Sequence, residues 1–162
     1  MPKAAIIMGS ASDFDIVKKA VDVFREFGIE VSVNICSAHR TPDMAAEFAK
    51  NARSSGVDVI LAAAGKAAHL PGIIAAHTVL PVIGIPVKSS FMDGLDSLLS
   101  IVQMPSGVPV ATVGVNASEN AALLAVQIIA GKYSELWDKL LQYRLDMQQK
   151  VIQSNDAIQG EF

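Results

Sequence analysis

The chain has 162 residues, enough for one domain with a sizeable core, and its single cysteine excludes an internal disulfide. Its formal net charge of −3 comes without a basic cluster, which argues against a nucleic-acid partner. No apolar run is long enough for a bilayer span, so we expect no membrane association. Met1-Pro2-Lys3 leads directly into the first apolar run, and we therefore expect no targeting segment and a cytoplasmic protein.

Five apolar runs have the length of strands and alternate with segments of helical periodicity. They are Ala4–Met8, Ile29–Cys36, Val57–Ala62, Val82–Val87 and Val108–Val115. Runs that are apolar at nearly every position suit strands that are covered on both faces of a parallel sheet. The sequence therefore predicts a single-domain α/β three-layer sandwich with a five-stranded parallel sheet in the flavodoxin-like order 2-1-3-4-5.

Several helix starts carry capping signals. Ser12–Asp15 and Asn116–Glu119 each resemble a capping box. Thr41-Pro42 is typical of an N-cap followed by proline at the first helical position. These signals separate the helices from the loops that precede them.

A last helix is predicted after the α/β core of residues 1–131. It runs from Tyr133 to about Ile152, within a segment 132–153, and carries one apolar stripe. A helix of that length spans about 30 Å, so we expect part of the stripe to project as an oligomerisation arm. The alternative is a helix that lies wholly on its own sheet. Residues 154–162 are expected to form a polar, mobile tail.

The loops after parallel strands meet at one edge of the sheet, and the first of them is Gly9–Asp13. Its backbone N–H groups and serine hydroxyls suit a phosphate at a helix N-terminus. Asp13 would repel a phosphate, so a ribose hydroxyl is its better partner. By itself the segment is also consistent with an ordinary helix cap.

The second loop is Ser37–Pro42, which places an imidazole and a fixed cation at the end of a strand. The Arg40 guanidinium can bind phosphate through two parallel hydrogen bonds. The alternative is a helix cap beside a solvated arginine and a packed histidine. The third loop, Ala64–Gly72, offers His69 among small residues, although a lone histidine there is more often structural. The fourth, Lys88–Gly94, is either a lid or a capped turn.

Other catalytic patterns are missing from the sequence. The histidines lack HxxxH or HxH spacing and Cys36 has no thiolate partner, so we expect no metal. No GxSxG elbow supports serine hydrolysis. His77, near the end of a short predicted helix, needs no function.

The four loops in this order resemble those of the bacterial N5-carboxyaminoimidazole ribonucleotide mutase family, known as PurE. The motifs that carry the resemblance are Met8–Asp13, Ser37–Pro42, Ala67–Gly72 and Gly94–Pro105. The matching part spans residues 4 to about 131. The resemblance implies a flavodoxin-like sandwich, a homo-octamer and a ribonucleotide substrate. It implies no cofactor.

The resemblance also implies roles for individual residues. His39 would be the general acid and base, while Ser10, Asp13 and Arg40 would bind the nucleotide. The other substrate-binding positions implied are Ser12, Ser37, Ala38, Gly65, Ala68, His69 and Leu70. In the implied reaction the carbamate loses CO₂ in a closed site, the CO₂ recombines at C4 of the aminoimidazole, and His39 moves the protons. The small apolar groups that would retain the CO₂ are Ala67, Ala68, Leu70 and Met104.

The chain departs from the family pattern at three places. Ala63 and Lys66 stand where family members usually have glycine, and Val115–Glu119 is shorter than the usual loop. The Lys66 ammonium either reaches a carboxylate or points to solvent, and solvent is the commoner fate of a lysine. If the position requires positive φ, a lysine there is strained.

Two other functions are consistent with this fold. One is the related carboxylase that uses free CO₂ and aminoimidazole ribonucleotide, although the His39–Pro42 and His69–Pro71 motifs resemble the mutase branch. The other is a noncatalytic nucleotide-binding or receiver-like module. A receiver needs acidic residues where this chain has Gly9-Ser10 and Gly65-Lys66.

Overall fold

The computed structural model describes residues 1–161 and contains one five-stranded sheet. The strands are β1 Lys3–Met8, β2 Glu30–Ile35, β3 Val59–Gly65, β4 Val82–Val87 and β5 Ala111–Thr112. The helices are α1 Phe14–Phe27, α2 Pro42–Ala52, α3 Leu70–His77, α4 Leu95–Val102, α5 Ser118–Ala130 and α6 Glu135–Gln159. All pairings are parallel and the order is β2-β1-β3-β4-β5, which confirms the predicted topology.

Helices cover both faces of the sheet because side chains alternate along its central strands. Ile6 belongs to a core shared with Phe24 of α1 and the buried face of α5. Its neighbour Ile7 belongs to a second core shared with Ile74 of α3 and the buried alanines of α2. The result is the predicted three-layer sandwich.

The central strand β4 is buried along its whole length, and α4 crosses close above it. A Cβ on Gly84 would collide with the Ile101 side chain of α4 and lie 3.1 Å from Cγ1 of Val110. Glycine is therefore required at this position by the close approach of the helix. This contact fixes α4 beside the loop that leaves β4.

The fifth strand is shorter than predicted. It pairs with β4 only over Ala111 and Thr112, not over Val108–Val115. Pro109 lacks the N–H that a longer ladder requires, and β5 has a single neighbouring strand at the edge of the sheet. An apolar run therefore overestimates the paired length here.

The last helix is longer than predicted. It begins at Glu135 and continues to Gln159, so residues 154–159 extend the helix and the predicted tail boundary is wrong. The polar side chains at this end suit an exposed helix as well as a tail, and the Ser154 hydroxyl donates to the Lys150 carbonyl at 2.8 Å. Leu136 and Leu140 are buried against the main core.

Another face of α6 leaves apolar side chains exposed. Among them, Trp137 is 47% and Leu141 62% exposed. The edge strand β2 shows the same feature, with Ile35 53% exposed. Both surfaces lie outside the two hydrophobic cores.

Candidate active site

A cavity of about 390 Å³ lies at the carboxyl ends of the parallel strands. Its wall is formed by the segments that follow the first four strands. We call them the β1 loop (Gly9–Asp13), the β2 loop (Ser37–Thr41), the β3 loop (Lys66–His69) and the β4 loop (Lys88–Gly94). Ligands of open α/β sheets bind in this crevice.

The β1 loop is held by hydrogen bonds among its own side chains. The Ser12 hydroxyl lies 2.9 Å from Ser10 Oγ and 3.2 Å from Asp13 Oδ1. Ser10 Oγ also accepts from the backbone N–H of Ser12 at 3.3 Å. Ser12 lies in a 3₁₀ turn before α1, and its hydroxyl is bonded within that turn. The predicted capping box of Ser12 with Asp15 is therefore wrong.

Asp13 is the buried acid of the cavity wall, with 9% of its surface exposed. Burial raises the pKa of its carboxyl above the ordinary value of 3.8, while the hydrogen bonds from Ser12 and from the Ser10 backbone act in the opposite direction. A carboxylate held this way retains lone pairs for hydroxyl donors from the cavity side.

The β2 loop is a tight turn that Thr41 and Ser37 close together. Thr41 Oγ1 accepts from the Ser37 N–H at 3.0 Å and donates to the Ser37 carbonyl at 2.9 Å. Thr41 occupies the predicted N-cap position of α2, but its hydroxyl is committed to the turn rather than to the helix. Ser37 Oγ accepts from the Arg40 N–H at 3.2 Å and lies 3.5 Å from Arg40 Nε. The turn leaves His39 and Arg40 exposed at the cavity.

Two histidines that are thirty residues apart meet across this cavity. His39 Nε2 lies 2.6 Å from His69 Nδ1, and the two rings are nearly perpendicular at 82°. Two ring nitrogens form such a bond when one of them carries the proton that the other accepts. The two imidazoles therefore form one hydrogen-bonded unit that joins the β2 loop to the β3 loop.

The β3 loop begins with a strained residue. Lys66 has φ 57°, is exposed and lines the cavity. A left-handed conformation costs a non-glycine residue about 1–2 kcal/mol. The position therefore does require positive φ, and the sequence fills it with lysine.

Two residues expected at the cavity are not part of its lining. Ala68 is buried in the second core with 2% of its surface exposed, and it is not part of the lining. Met104 also lies outside the lining. Its sulfur would be 3.0 Å from a Cβ added at Gly72. Neither residue is in direct contact with the cavity.

The β4 loop, which the sequence places at the same edge as the other three loops, contributes residues that were not predicted to bind substrate. Lys88, Ser89 and Ser90 line the cavity, and the Lys88 ammonium pairs with Asp93 at 3.0 Å. Asn116 Oδ1 accepts from the Lys88 N–H at 2.9 Å, and Asn116 itself has φ 59°. The predicted capping box at Asn116 is therefore wrong, because that side chain holds the β4 loop. The position of this loop after a central strand is the signal that places it here.

The structure brings ten of the predicted site residues to one cavity. Those that line it are Ser10, Ser12, Asp13, Ser37, Ala38, His39, Arg40, Gly65, His69 and Leu70. Within residues 1–161, no group of three or more His, Cys, Asp and Glu side chains is arranged to hold a metal ion. None of the helices in that range is long and apolar enough to cross a bilayer.

The fold and cavity define a flavodoxin-like α/β protein with a histidine pair in its ligand crevice. A family model described as AIR carboxylase matches residues 3–150. The chain belongs to this family.

Several named proteins are similar in sequence to this chain over most of its length. A Pyrococcus horikoshii protein named N5-carboxyaminoimidazole ribonucleotide mutase is 57% identical over 93% of this chain and 85% of its own length. A Thermotoga maritima protein of the same name is 52% identical over 98% of this chain and 93% of its own length. The crystal structure of Treponema denticola PurE matches with a TM-score of 0.85 and 30% identity, covering 96% of this chain and 98% of that one.

Proposed function

We propose that this protein is an N5-carboxyaminoimidazole ribonucleotide mutase, an isomerase of purine biosynthesis. It converts the N5-carboxylated ribonucleotide to 4-carboxyaminoimidazole ribonucleotide. The observation that carries this proposal is the bonded pair of His39 and His69 inside a cavity that also presents Arg40 and the serines of the β1 loop. Close relatives with the mutase name support the same reaction.

The ribose-phosphate part of the substrate fits the hydroxyl, guanidinium and carboxylate groups of the cavity rather than the histidine pair. The Ser10 and Ser12 hydroxyls and the Arg40 guanidinium bind the phosphate through charge-assisted hydrogen bonds. The Asp13 carboxylate accepts from the ribose hydroxyls. Ser37 supports this arrangement because its hydroxyl fixes the backbone of Arg40.

The reaction moves a carboxyl group and leaves the proton count unchanged. The bond between N5 and the carboxyl carbon breaks, and protonated His39 supplies the proton that N5 gains. C4 then attacks the released CO₂, and the new carbon–carbon bond leaves C4 with one proton too many. Neutral His39 removes that proton and returns to its starting state. His69 stays hydrogen-bonded to His39 during both transfers and keeps that ring in place.

Retention of CO₂ requires apolar surface that excludes water. Ala38, Ala64, Ala67, Leu70 and Val87 supply apolar surface to the cavity. The transfer is redox-neutral and consumes no second substrate, so its balance requires neither a flavin nor a nucleoside triphosphate.

The assembly we propose is a homo-octamer in the cytoplasm. The exposed apolar face of α6 supports subunit contacts, since a helix of 25 residues spans about 38 Å, longer than this small subunit requires. The exposed side chains of β2 offer a second apolar surface.

Charges introduced on α6 test the assembly. Leu141→Glu combined with Leu145→Glu should lower the native mass measured by light scattering. The two changes replace exposed apolar side chains of the proposed subunit contact with charged ones. Gln148→Glu, a polar exposed position of the same helix, is the control and should leave the mass unchanged. An unaltered mass in the double variant contradicts the role of α6.

A substrate comparison tests the reaction. Purified protein should form the 4-carboxylated product from the N5-carboxylated ribonucleotide without ATP. With aminoimidazole ribonucleotide and bicarbonate at physiological concentration, product formation should be far slower. The reverse preference would identify the AIR carboxylase reaction, and binding without turnover of either substrate would identify a noncatalytic module.

A further inference from the structure

Lys66 places a positive charge in the loop that carries His69. It precedes His69 by three residues in the β3 loop, where the His69 N–H donates to the Ala67 carbonyl at 2.8 Å. Lys66 and His69 therefore belong to the same short loop, and both line the cavity. The β1 loop, which carries the serines and Asp13, follows a different strand.

The cations that line the cavity differ in how their charge is used. The Lys88 ammonium is paired with Asp93 at 3.0 Å, and Arg40 is oriented by Ser37. Lys66 forms no salt bridge with any carboxylate of residues 1–161. An exposed ammonium without an internal partner is available to an anionic ligand.

The backbone of Lys66 gives the second observation. Its φ of 57° is a conformation that glycine adopts without strain, yet the chain carries the side chain there. Strained non-glycine backbone is concentrated at functional sites, where the position of a side chain outweighs the local cost.

From these observations we propose that Lys66 is a specificity residue that binds the carboxylate of the ribonucleotide, on N5 before the transfer and on C4 after it. The inference rests on the proposed function, since only a carboxylated ribonucleotide carries that group. Lys66 then favours the carboxylated ribonucleotides over aminoimidazole ribonucleotide. The phosphate, common to all of these ligands, remains with the β1 loop and Arg40.

Isothermal titration with two ligands tests the proposal on the full-length protein. The ligands are the 4-carboxylated ribonucleotide and aminoimidazole ribonucleotide, which share the phosphate and differ in the carboxylate. Lys66→Gly removes the charge and the strain together. Lys66→Asn removes the charge but keeps a side chain that tolerates positive φ. Lys66→Arg retains the charge, and Lys50→Gln removes an exposed lysine of α2 that does not line the cavity.

We expect both neutral variants to weaken binding of the carboxylated ligand about tenfold, the loss of one charge-assisted contact. Binding of aminoimidazole ribonucleotide should change by less than about twofold, and Lys66→Arg should restore most of the lost affinity. Equal losses for the two ligands would overturn the proposal and assign Lys66 to the phosphate. Unchanged affinity for both would also overturn it and leave the ammonium in solvent.

Failure of this inference is separable from failure of the proposed function. If wild-type protein interconverts the two carboxylated ribonucleotides while the Lys66 variants bind both ligands normally, only the role of Lys66 is wrong. If wild-type protein performs no conversion, the proposed function is wrong.

Discussion

The two walls of the cavity differ in how their polar groups are satisfied. In the β1 loop, Ser10, Ser12 and Asp13 bond to one another, and Asp13 is nearly buried. Across the cavity, His39 and His69 are exposed and bond mainly as a pair. The first wall is preorganised to receive fixed ligand groups, and the second carries a proton that can be moved. The comparison predicts that changes in the first wall affect binding and changes in the second affect turnover.

The largest expected effect is on the imidazole wall. His39→Asn should lower kcat by at least about 100-fold, because it deletes the group that donates and removes protons. Binding of the product should change little, and the folded state should persist because His39 is exposed. His77→Asn is the matched control, since His77 ends α3 outside the cavity lining. Near wild-type turnover of His39→Asn would remove this residue from the chemistry.

A smaller effect is expected when the phosphate contact is lost. Arg40→Ala should raise Kd for the ribonucleotide by about tenfold or more, because a charge-assisted contact disappears from ground and transition states alike. The loss should shrink for the dephosphorylated nucleoside, as measured by titration calorimetry. Arg53→Ala removes an exposed arginine just after α2 and serves as control. Equal losses for nucleotide and nucleoside would show that Arg40 does not contact the phosphate.

The smallest effect concerns the stability of the β1 loop. Burial raises the pKa of Asp13, so the folded state binds this proton more tightly than the unfolded state does. The free energy of unfolding should therefore fall as pH rises from the ordinary value of 3.8 through the raised pKa, and then level off. Asp13→Asn should remove this dependence and gain stability relative to wild type at neutral pH, while ligand binding weakens several-fold.

Denaturant titrations across the acid range provide the measurement. Asp15→Asn, at an exposed position in the first turn of α1, controls for removal of one carboxylate. Parallel pH profiles for wild type and Asp13→Asn would show that burial of Asp13 does not affect stability. That result would weaken the view of the β1 loop as a preorganised wall.

The sequence predicted the sheet well because the central strands are covered on both faces. Runs such as Val82–Val87 have the uniform apolar pattern of buried parallel strands, and their order follows from crossover handedness. The edge of the sheet was predicted less well. Pattern alone does not show that β5 has one neighbour and ends after Thr112.

Local signals failed where tertiary hydrogen bonds compete for the same side chain. Asn116 has the composition of a cap, yet its amide oxygen binds the backbone of Lys88, twenty-eight residues away in sequence. Ser12 likewise bonds to Ser10 and Asp13 rather than to its helix. Sequence spacing also placed His39 and His69 on one rim without showing that their rings bond directly.

The measurement that tests the central claim most directly follows the carboxyl carbon. The N5-carboxylated ribonucleotide is incubated with the protein in ¹³C-bicarbonate, and the product is analysed by mass spectrometry after a short conversion. A cavity that retains the released CO₂ predicts product with almost no ¹³C at the new carboxyl group. Product that carries the label at the level of the surrounding bicarbonate would contradict direct transfer within the cavity.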